Sequence, residues 1–214
     1  MAKKTKEEAL ETRNLLLDTA EEVFNEKGVS STTLSDIACA AGVTRGAIYW
    51  HFKNKADLFE AMCDRVRLPM EEMTAACAED TVEDPMGELR KTVDYMYTKV
   101  ATDRHHHLVF DILFNKCEFV VQLGPIMDRD VRVRKAFKQR FEQVFHNAAR
   151  RGQIPENTNV PLAAQAYISF VKGVLRDWLL EPDSFDLQAD GKRMLDAYFE
   201  MMTKSAALQG KSSK

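Results

Sequence analysis

Arg45, Tyr49, Trp50, His51 and Lys55 lie in one short stretch, and from Ile37 to Ala56 the chain carries no acidic residue. An arginine fork can donate two parallel hydrogen bonds to guanine O6 and N7. Tyrosine, histidine and lysine donate to phosphate oxygens, which fix register on a duplex without reading its sequence. The combination suits binding to DNA rather than breaking bonds. A plain corner between two helices, with the aromatics as core, is the alternative. It leaves the acid-free window and its flanking cations unexplained.

The elements that must position these residues are legible in caps and spacing. Thr33 and Asp36, three apart, form a capping-box pattern that starts a helix. Leu34, Ile37, Ala38 and Ala41 give it one apolar face. Gly42 ends it, because glycine enters the left-handed region without a Cβ penalty. Thr44 caps a second helix from Arg45 to about His51, with Ile48 and Phe52 on its inner side. A helix this short is not stable alone, so its other face, with Arg45, Gly46, Tyr49 and Trp50, is there to be displayed. In a helix-turn-helix, the second helix enters the major groove with its N-terminal residues against base edges. Thr33, Ser35 and Thr44 stand at the two helix starts, which attract phosphate. The expected DNA-contacting set is Thr33, Ser35, Thr44, Arg45, Gly46, Tyr49, Trp50, His51 and Lys55. An earlier helix, Leu10 to Lys27, braces the pair through Leu16, Leu17, Ala20, Val23 and Phe24. Its acidic face (Glu11, Asp18, Glu21, Glu22, Glu26) is expected to turn outward, away from DNA.

The run from Val43 to Lys55, Val-Thr-Arg-Gly-Ala-Ile-Tyr-Trp-His-Phe-Lys-Asn-Lys, resembles the recognition segment of the TetR family of transcriptional repressors. Its Gly-Ala-Ile-Tyr-Trp-His-Phe centre resembles the repressors of multidrug-efflux operons. The match is dense over about residues 10–58. It continues thinly at Lys116-Cys117-Glu118-Phe119, Arg150-Arg151-Gly152, Trp178-Leu179-Leu180 and Pro182 to Leu187. The resemblance implies a DNA-binding domain at 1–58 and a ligand-binding and dimerisation domain at 59–207. A polar tail at 208–214 is expected to be disordered, as is the basic arm with Lys3, Lys4 and Lys6.

Composition bounds the rest. Of 214 residues, 45% are hydrophobic, enough for a globular core. The net charge is −3, and the first 60 residues hold eight Lys and Arg against ten Asp and Glu. DNA binding must then rest on where charge is placed, not on its amount. Cys39, Cys63, Cys77 and Cys117 show no paired spacing and no secretory signal precedes them, which implies a cytoplasmic protein. The longest uncharged run, Asn157 to Val171, is too short and too polar to span a bilayer, so no membrane partner is expected. No Gly-x-Ser-x-Gly, Gly-x-Gly-x-x-Gly or His-Glu-x-x-His motif is present, so neither enzyme activity nor a cofactor is expected. His105, His106 and His107 are consecutive, and helix neighbours splay roughly 100° apart. They are expected to form a solvated helix start rather than a metal site.

Helical periodicity runs throughout and Val/Ile alternation is nearly absent, so the chain reads as all-α with about nine helices. Asn54 and Asp57 start a long helix that Pro69 is expected to kink or interrupt. Asp84-Pro85 starts another, with Leu89, Val93, Met96, Tyr97 and Val100 on one side. A helix with Leu108, Ile112 and Leu113 is expected to reach about Phe119. A long amphipathic helix follows Gly124-Pro125, with Ile126 on its apolar side and Arg129 to Arg140 on a solvated basic side.

The last two helices, Pro161 to Leu180 and Leu187 to Thr203, are apolar on more than one side and so have more than one partner. Tyr167, Val174, Trp178, Leu195, Tyr198, Phe199 and Met202 are the expected interface of a homodimer, built as a four-helix bundle. A dimer would span two half-sites roughly 34–36 Å apart.

Ten of the twelve phenylalanines follow residue 58. Periodicity alone favours a filled core. The family resemblance implies an apolar cavity for a small aromatic inducer, lined by Met96, Phe110, Phe114, Phe137, Phe141, Phe170 and Val171. Arg67, Asn115 and Lys172 are its expected polar groups. Lys172, where relatives are often neutral or acidic, points to neutral or anionic inducers. A helical adaptor without DNA activity is the rival reading.

Overall fold

The computed structural model describes residues 6–117 and 124–209, with 124–130 described by backbone alone. Lys3, Lys4, Glu118, Phe119, residues 210–214 and the side chains of Ile126 and Arg129 lie outside the described residues. Among the described residues nine α-helices follow in order. They are α1 (Lys6–Lys27), α2 (Leu34–Ala40), α3 (Arg45–His51), α4 (Lys55–Cys77), α5 (Pro85–Thr102), α6 (Arg104–Asp111), α7 (Gly124–Arg150), α8 (Val160–Leu180) and α9 (Ala189–Lys204). None is long and apolar enough to cross a membrane. The helix carrying Leu108 stops short of the expected Phe119, because Ile112–Lys116 winds as a π-type turn and Cys117 leaves the helix. Pro69 lies inside α4, which continues past it to Cys77.

The chain divides into two compact units. The first gathers residues up to 67 with 104–130, and the second gathers 68–103 with residues from 131 onward. The unit that holds the helix-turn-helix is thus larger than residues 1–58, because α6 packs with α1. Leu16, Leu17, Ala20 and Phe24 of α1 meet Ile37, Ile48, Phe52, Leu58, Phe59 and Met62, together with Val109 and Ile112 from the α6 region. Phe24 and Phe59 meet edge to face at 5.9 Å.

A polar clasp reinforces this core. Glu21, expected on the solvated face of α1, is buried at 1% exposure. Its carboxylate meets His105 Nδ1 at 2.6 Å and accepts from Arg65 Nη1 at 3.2 Å, and the same guanidinium reaches Asp18 at 2.5 Å. Arg104 meets Glu22 at 2.7 Å. His105 is therefore tied to α1 rather than simply solvated. Asp18, Glu21 and His105 converge closely enough to hold an ion, but the Arg65 guanidinium already supplies the positive charge between both carboxylates. Burial raises the Glu21 pKa above its usual value of 4.5, with His105 and Arg65 opposing. An acid raised in the folded state contributes stability below its unfolded pKa and loses it as pH rises through the folded one. Urea titrations from pH 4 to 7 should therefore show wild type losing stability relative to Glu21→Gln as pH climbs above 4.5. A wild-type-to-variant difference that does not change with pH would contradict this.

The second unit has its own core, drawn from α5, α8, α9 and the C-terminal part of α7. Leu89, Tyr97, Val100, Val144, Phe145, Ala163, Tyr167, Leu175, Leu195 and Met202 are all fully or almost fully buried. The acidic loop after α4 is fastened by Asn147, whose Nδ2 donates to the Ala78 and Glu79 carbonyls at 3.0 and 3.3 Å. Arg90 joins α5 to α9, meeting Asp196 at 2.7 Å while its guanidinium lies over the Phe199 ring. The expected disordered tail begins as ordered chain. Ala206–Leu208 forms a 3-10 turn, Leu208 is buried, and its carbonyl accepts from Asn159 N at 2.8 Å.

Candidate nucleic-acid interface

The turn between α2 and α3 is fixed by local chemistry. Asp36 N donates to Thr33 Oγ1 at 3.2 Å while Thr33 N donates to Asp36 Oδ2 at 2.8 Å. The Thr33 hydroxyl and amide hold the Asp36 carboxyl below its usual range. Gly42 sits at φ +66°, a left-handed position closed by Gly42 N to Cys39 O and Val43 N to Ala38 O. This is the hydrogen-bond pattern of a Schellman cap. Thr44 then accepts from Ala47 N and opens α3. Ile48, fully buried, and Phe52 anchor the inner side, and Arg13 of α1 lies 5.2 Å over the Phe52 ring.

What remains points outward. Thr33, Ser35, Thr44, Arg45 and Gly46 are exposed, Tyr49 is 47% exposed and Trp50 is 72% exposed. The Arg45 guanidinium lies 5.6 Å over the Tyr49 ring, one turn along the same face. His51 is half-buried and packs edge to face with Trp50 at 4.5 Å. A side chain at position 46 would meet only Thr44 Oγ1, at 3.9 Å. Among the described residues no packing contact requires glycine there. Arg45, Tyr49 and Trp50 thus form one exposed cationic and aromatic face on a short helix braced from behind.

Lys55 does not belong to that surface. Its Nζ donates to three carbonyls, Val29 at 2.7 Å, Ser30 at 3.1 Å and Thr32 at 2.8 Å. Desolvation in this position lowers its pKa. An ammonium has three donors, and here all three close the α1–α2 loop. Lys55 sets where α2 begins instead of holding a phosphate. Lys53 stays exposed on the same connection.

The residues expected to hold a small molecule divide between the units. Arg67, Phe110, Phe114 and Asn115 belong to the first, and Met96, Phe137, Phe141, Phe170, Val171 and Lys172 to the second. Arg67 is engaged by Asp64, and Asn115 donates to Asp111 at 2.7 Å. Phe110 and Phe114 pair at 6.0 Å within the first unit. Within the second unit the rings form a chain. Phe137 stacks on Phe141 at 6.0 Å, Phe141 meets Tyr167 at 4.9 Å, and Phe170 stacks on Tyr198 at 4.7 Å. Lys172 is exposed in the single chain, between the buried Val171 and the half-buried Gly173.

The residues expected at a dimer interface also turn inward. Tyr167, Trp178, Leu195, Tyr198, Phe199 and Met202 are buried within a single chain, and Val174 is half-buried. Much of the wide apolar face of each helix is covered by neighbours in the same chain. The apolar residues left outside are Leu162 and Leu180 on α8 and Met194 and Met201 on α9.

A short, braced recognition helix after a Schellman-capped turn defines a helix-turn-helix DNA-binding protein. Residues 16–62 match the model of bacterial regulatory proteins of the tetR family, and residues 84–204 match the C-terminal region of MAATS-type transcriptional repressors. The chain is 38% identical to the HTH-type transcriptional regulator TtgR of Pseudomonas putida, covering 98% of this chain and 100% of that one. NalD, the secondary repressor of the MexAB-OprM multidrug efflux pump in Pseudomonas aeruginosa, has a similar solved structure. Its TM-score is 0.83 at 36% identity, covering 94% of this chain and 100% of that chain. The SmeT–triclosan complex is similar with a TM-score of 0.82 at 29% identity, covering 95% and 98%. The chain belongs to the TetR family of bacterial transcriptional regulators.

Proposed function

We propose that this chain is a homodimeric repressor of a multidrug-efflux operon. Two copies of α3 read a pseudo-palindromic operator, and an apolar or aromatic small molecule bound in the second unit releases it. The observation that carries the DNA half is the outward face of α3, Arg45, Gly46, Tyr49 and Trp50, held from behind by Ile48 and Phe52. Thr33, Ser35, Thr44 and His51 flank it as phosphate contacts. The ligand half is supported by the aromatic chain Phe137–Phe141–Tyr167 and by Met96, Phe170 and Val171 of the same unit. The dimer half rests on the outer apolar residues Leu162, Met194 and Met201. The related repressors control efflux pumps, and one of them binds triclosan.

Release follows from linkage. A ligand shifts the DNA equilibrium only by its differential affinity for the DNA-competent and DNA-incompetent forms. A coupling of ~3 kcal/mol, about 150-fold, is enough to empty an operator. A gel shift on the DNA upstream of the chain's own gene, with and without triclosan, tests the whole reading. The expected result is a specific complex that triclosan dissolves. A second expected outcome concerns Arg45. Arg45→Ala should weaken operator binding by ~1–3 kcal/mol and relax sequence choice at one position of each half-site, if its contact to guanine is bidentate. Competition with single-base operator variants checks this; unchanged sequence preference would remove Arg45 from base reading.

A further inference from the structure

Tyr97 carries a buried polar atom that packing does not explain. It lies on α5 at 1% exposure, and among the described residues its hydroxyl has no hydrogen-bond partner. Its ring is held in place. A Cβ at Gly191 of α9 would stand 3.0 Å from both Cδ2 and Cε2, so the α9 backbone closes one side of the ring. A phenylalanine would fill this space equally well. The hydroxyl is the part left over, and a buried hydroxyl without a partner is costly to keep.

The surroundings are aromatic. Tyr97, Cys77 and Tyr198 lie close enough to the Tyr167 hydroxyl to add to the effect of burial, which pushes that phenol well up. Tyr167 in turn touches Phe141 and Phe145, at 4.9 and 5.7 Å. Tyr198 spends its own hydroxyl on the Ala163 carbonyl at 3.5 Å. Burial raises the Tyr97 phenol as well, so it stays protonated and neutral near pH 7 and can donate as well as accept.

We propose that the Tyr97 hydroxyl is the polar anchor of the inducer site, selecting uncharged multi-ring aromatic molecules that carry one hydrogen-bonding oxygen over otherwise similar molecules without it. The inference rests on the reading that the second unit holds an aromatic ligand. A site built to pair a substituent discriminates strongly against the analogue that leaves its buried group unpaired.

The test is calorimetric titration of wild type and Tyr97→Phe with two probes. One is triclosan, a diaryl ether bearing a phenol. The other is the same diaryl ether with hydrogen in place of that phenol. Wild type should bind triclosan about tenfold more tightly than Tyr97→Phe does, as expected for one lost hydrogen bond. Both proteins should bind the phenol-free probe alike. The ligand-free melting temperature of Tyr97→Phe should be unchanged or higher, because the variant loses a polar group that nothing satisfies. Equal triclosan affinity in the two proteins would overturn the role of Tyr97 and leave the ligand reading standing. A lower melting temperature would show a structural partner for the hydroxyl and overturn the anchor as well. If neither probe bound wild type, the aromatic-ligand reading and this inference would fall together.

Discussion

Lys55→Met should lower the melting temperature by roughly 6–12 °C and leave the salt dependence of DNA binding unchanged. The substitution keeps most of the aliphatic stem and removes three charge-assisted hydrogen bonds to the Val29, Ser30 and Thr32 carbonyls. Each such bond is worth about 1.5–3 kcal/mol. Lys55 is only half-buried, so water takes over part of the work, and a total near ~3 kcal/mol is expected. The loop it closes is otherwise held by Thr32 Oγ1 on the Gly28 carbonyl and by Val29 N on the Lys116 carbonyl. Loosening it moves the start of α2 and with it the turn that aims α3. Operator affinity should fall because fewer molecules hold the reading geometry. The slope of log affinity against log salt should stay as in wild type, since no phosphate contact is lost. Lys53→Met is the contrast: little change in melting, and a slope lower by about one for each protomer bound. A reduced slope for Lys55→Met with normal melting would return Lys55 to the phosphate-binding set.

The second large effect concerns the dimer. Leu162→Arg combined with Met201→Arg should halve the sedimenting mass and weaken operator binding at least ~100-fold. Both side chains are close to half exposed in a single chain, at 44% and 46%, so the fold tolerates the change. A charge on each would be buried unpaired in any dimer that uses this face. Once the copies separate, each half-site must be bound independently, and the loss of effective concentration removes a factor of about 10²–10⁴. Tyr167→Ala is the informative control. Tyr167 is buried inside one chain against Phe141, Phe145 and Phe199. Its removal should cost about 3–5 kcal/mol of stability, as for other large aromatic truncations, whatever the state of assembly. A stable, dimeric Leu162→Arg/Met201→Arg protein would place the interface elsewhere.

These two cases also show what a sequence can and cannot carry. The reading unit was legible because its determinants are local. Thr33 with Asp36, Gly42 and Thr44 act within three or four residues of themselves, and each appears in the structure in the role its spacing implies. The three bonds of Lys55 are not legible in the sequence because its partners lie 23 to 26 residues earlier, in a loop with no periodicity to betray it. The burial of Glu21 is hidden for the same reason: His105 lies 84 residues away. α8 and α9 announced that they were apolar on more than one side, but helical spacing does not say which side meets the chain's own core. Tyr167, Tyr198 and Phe199 took the inner side, and the flexible Met194 and Met201 were left outside. Tyr97 shows in the sequence only as a phenol within an apolar stripe; that its hydroxyl has no partner among the described residues is a fact of the fold.

All of this depends on α3 being a surface for duplex DNA. Fluorescence-anisotropy titration of the purified chain against the duplex upstream of its own gene, and against a scrambled duplex of equal length, tests that most directly. Both should be run over a range of salt concentrations. Tighter binding to the upstream duplex, lost in Arg45→Ala, is the predicted result. Equal binding to both duplexes, or none to either at low salt, would contradict the account.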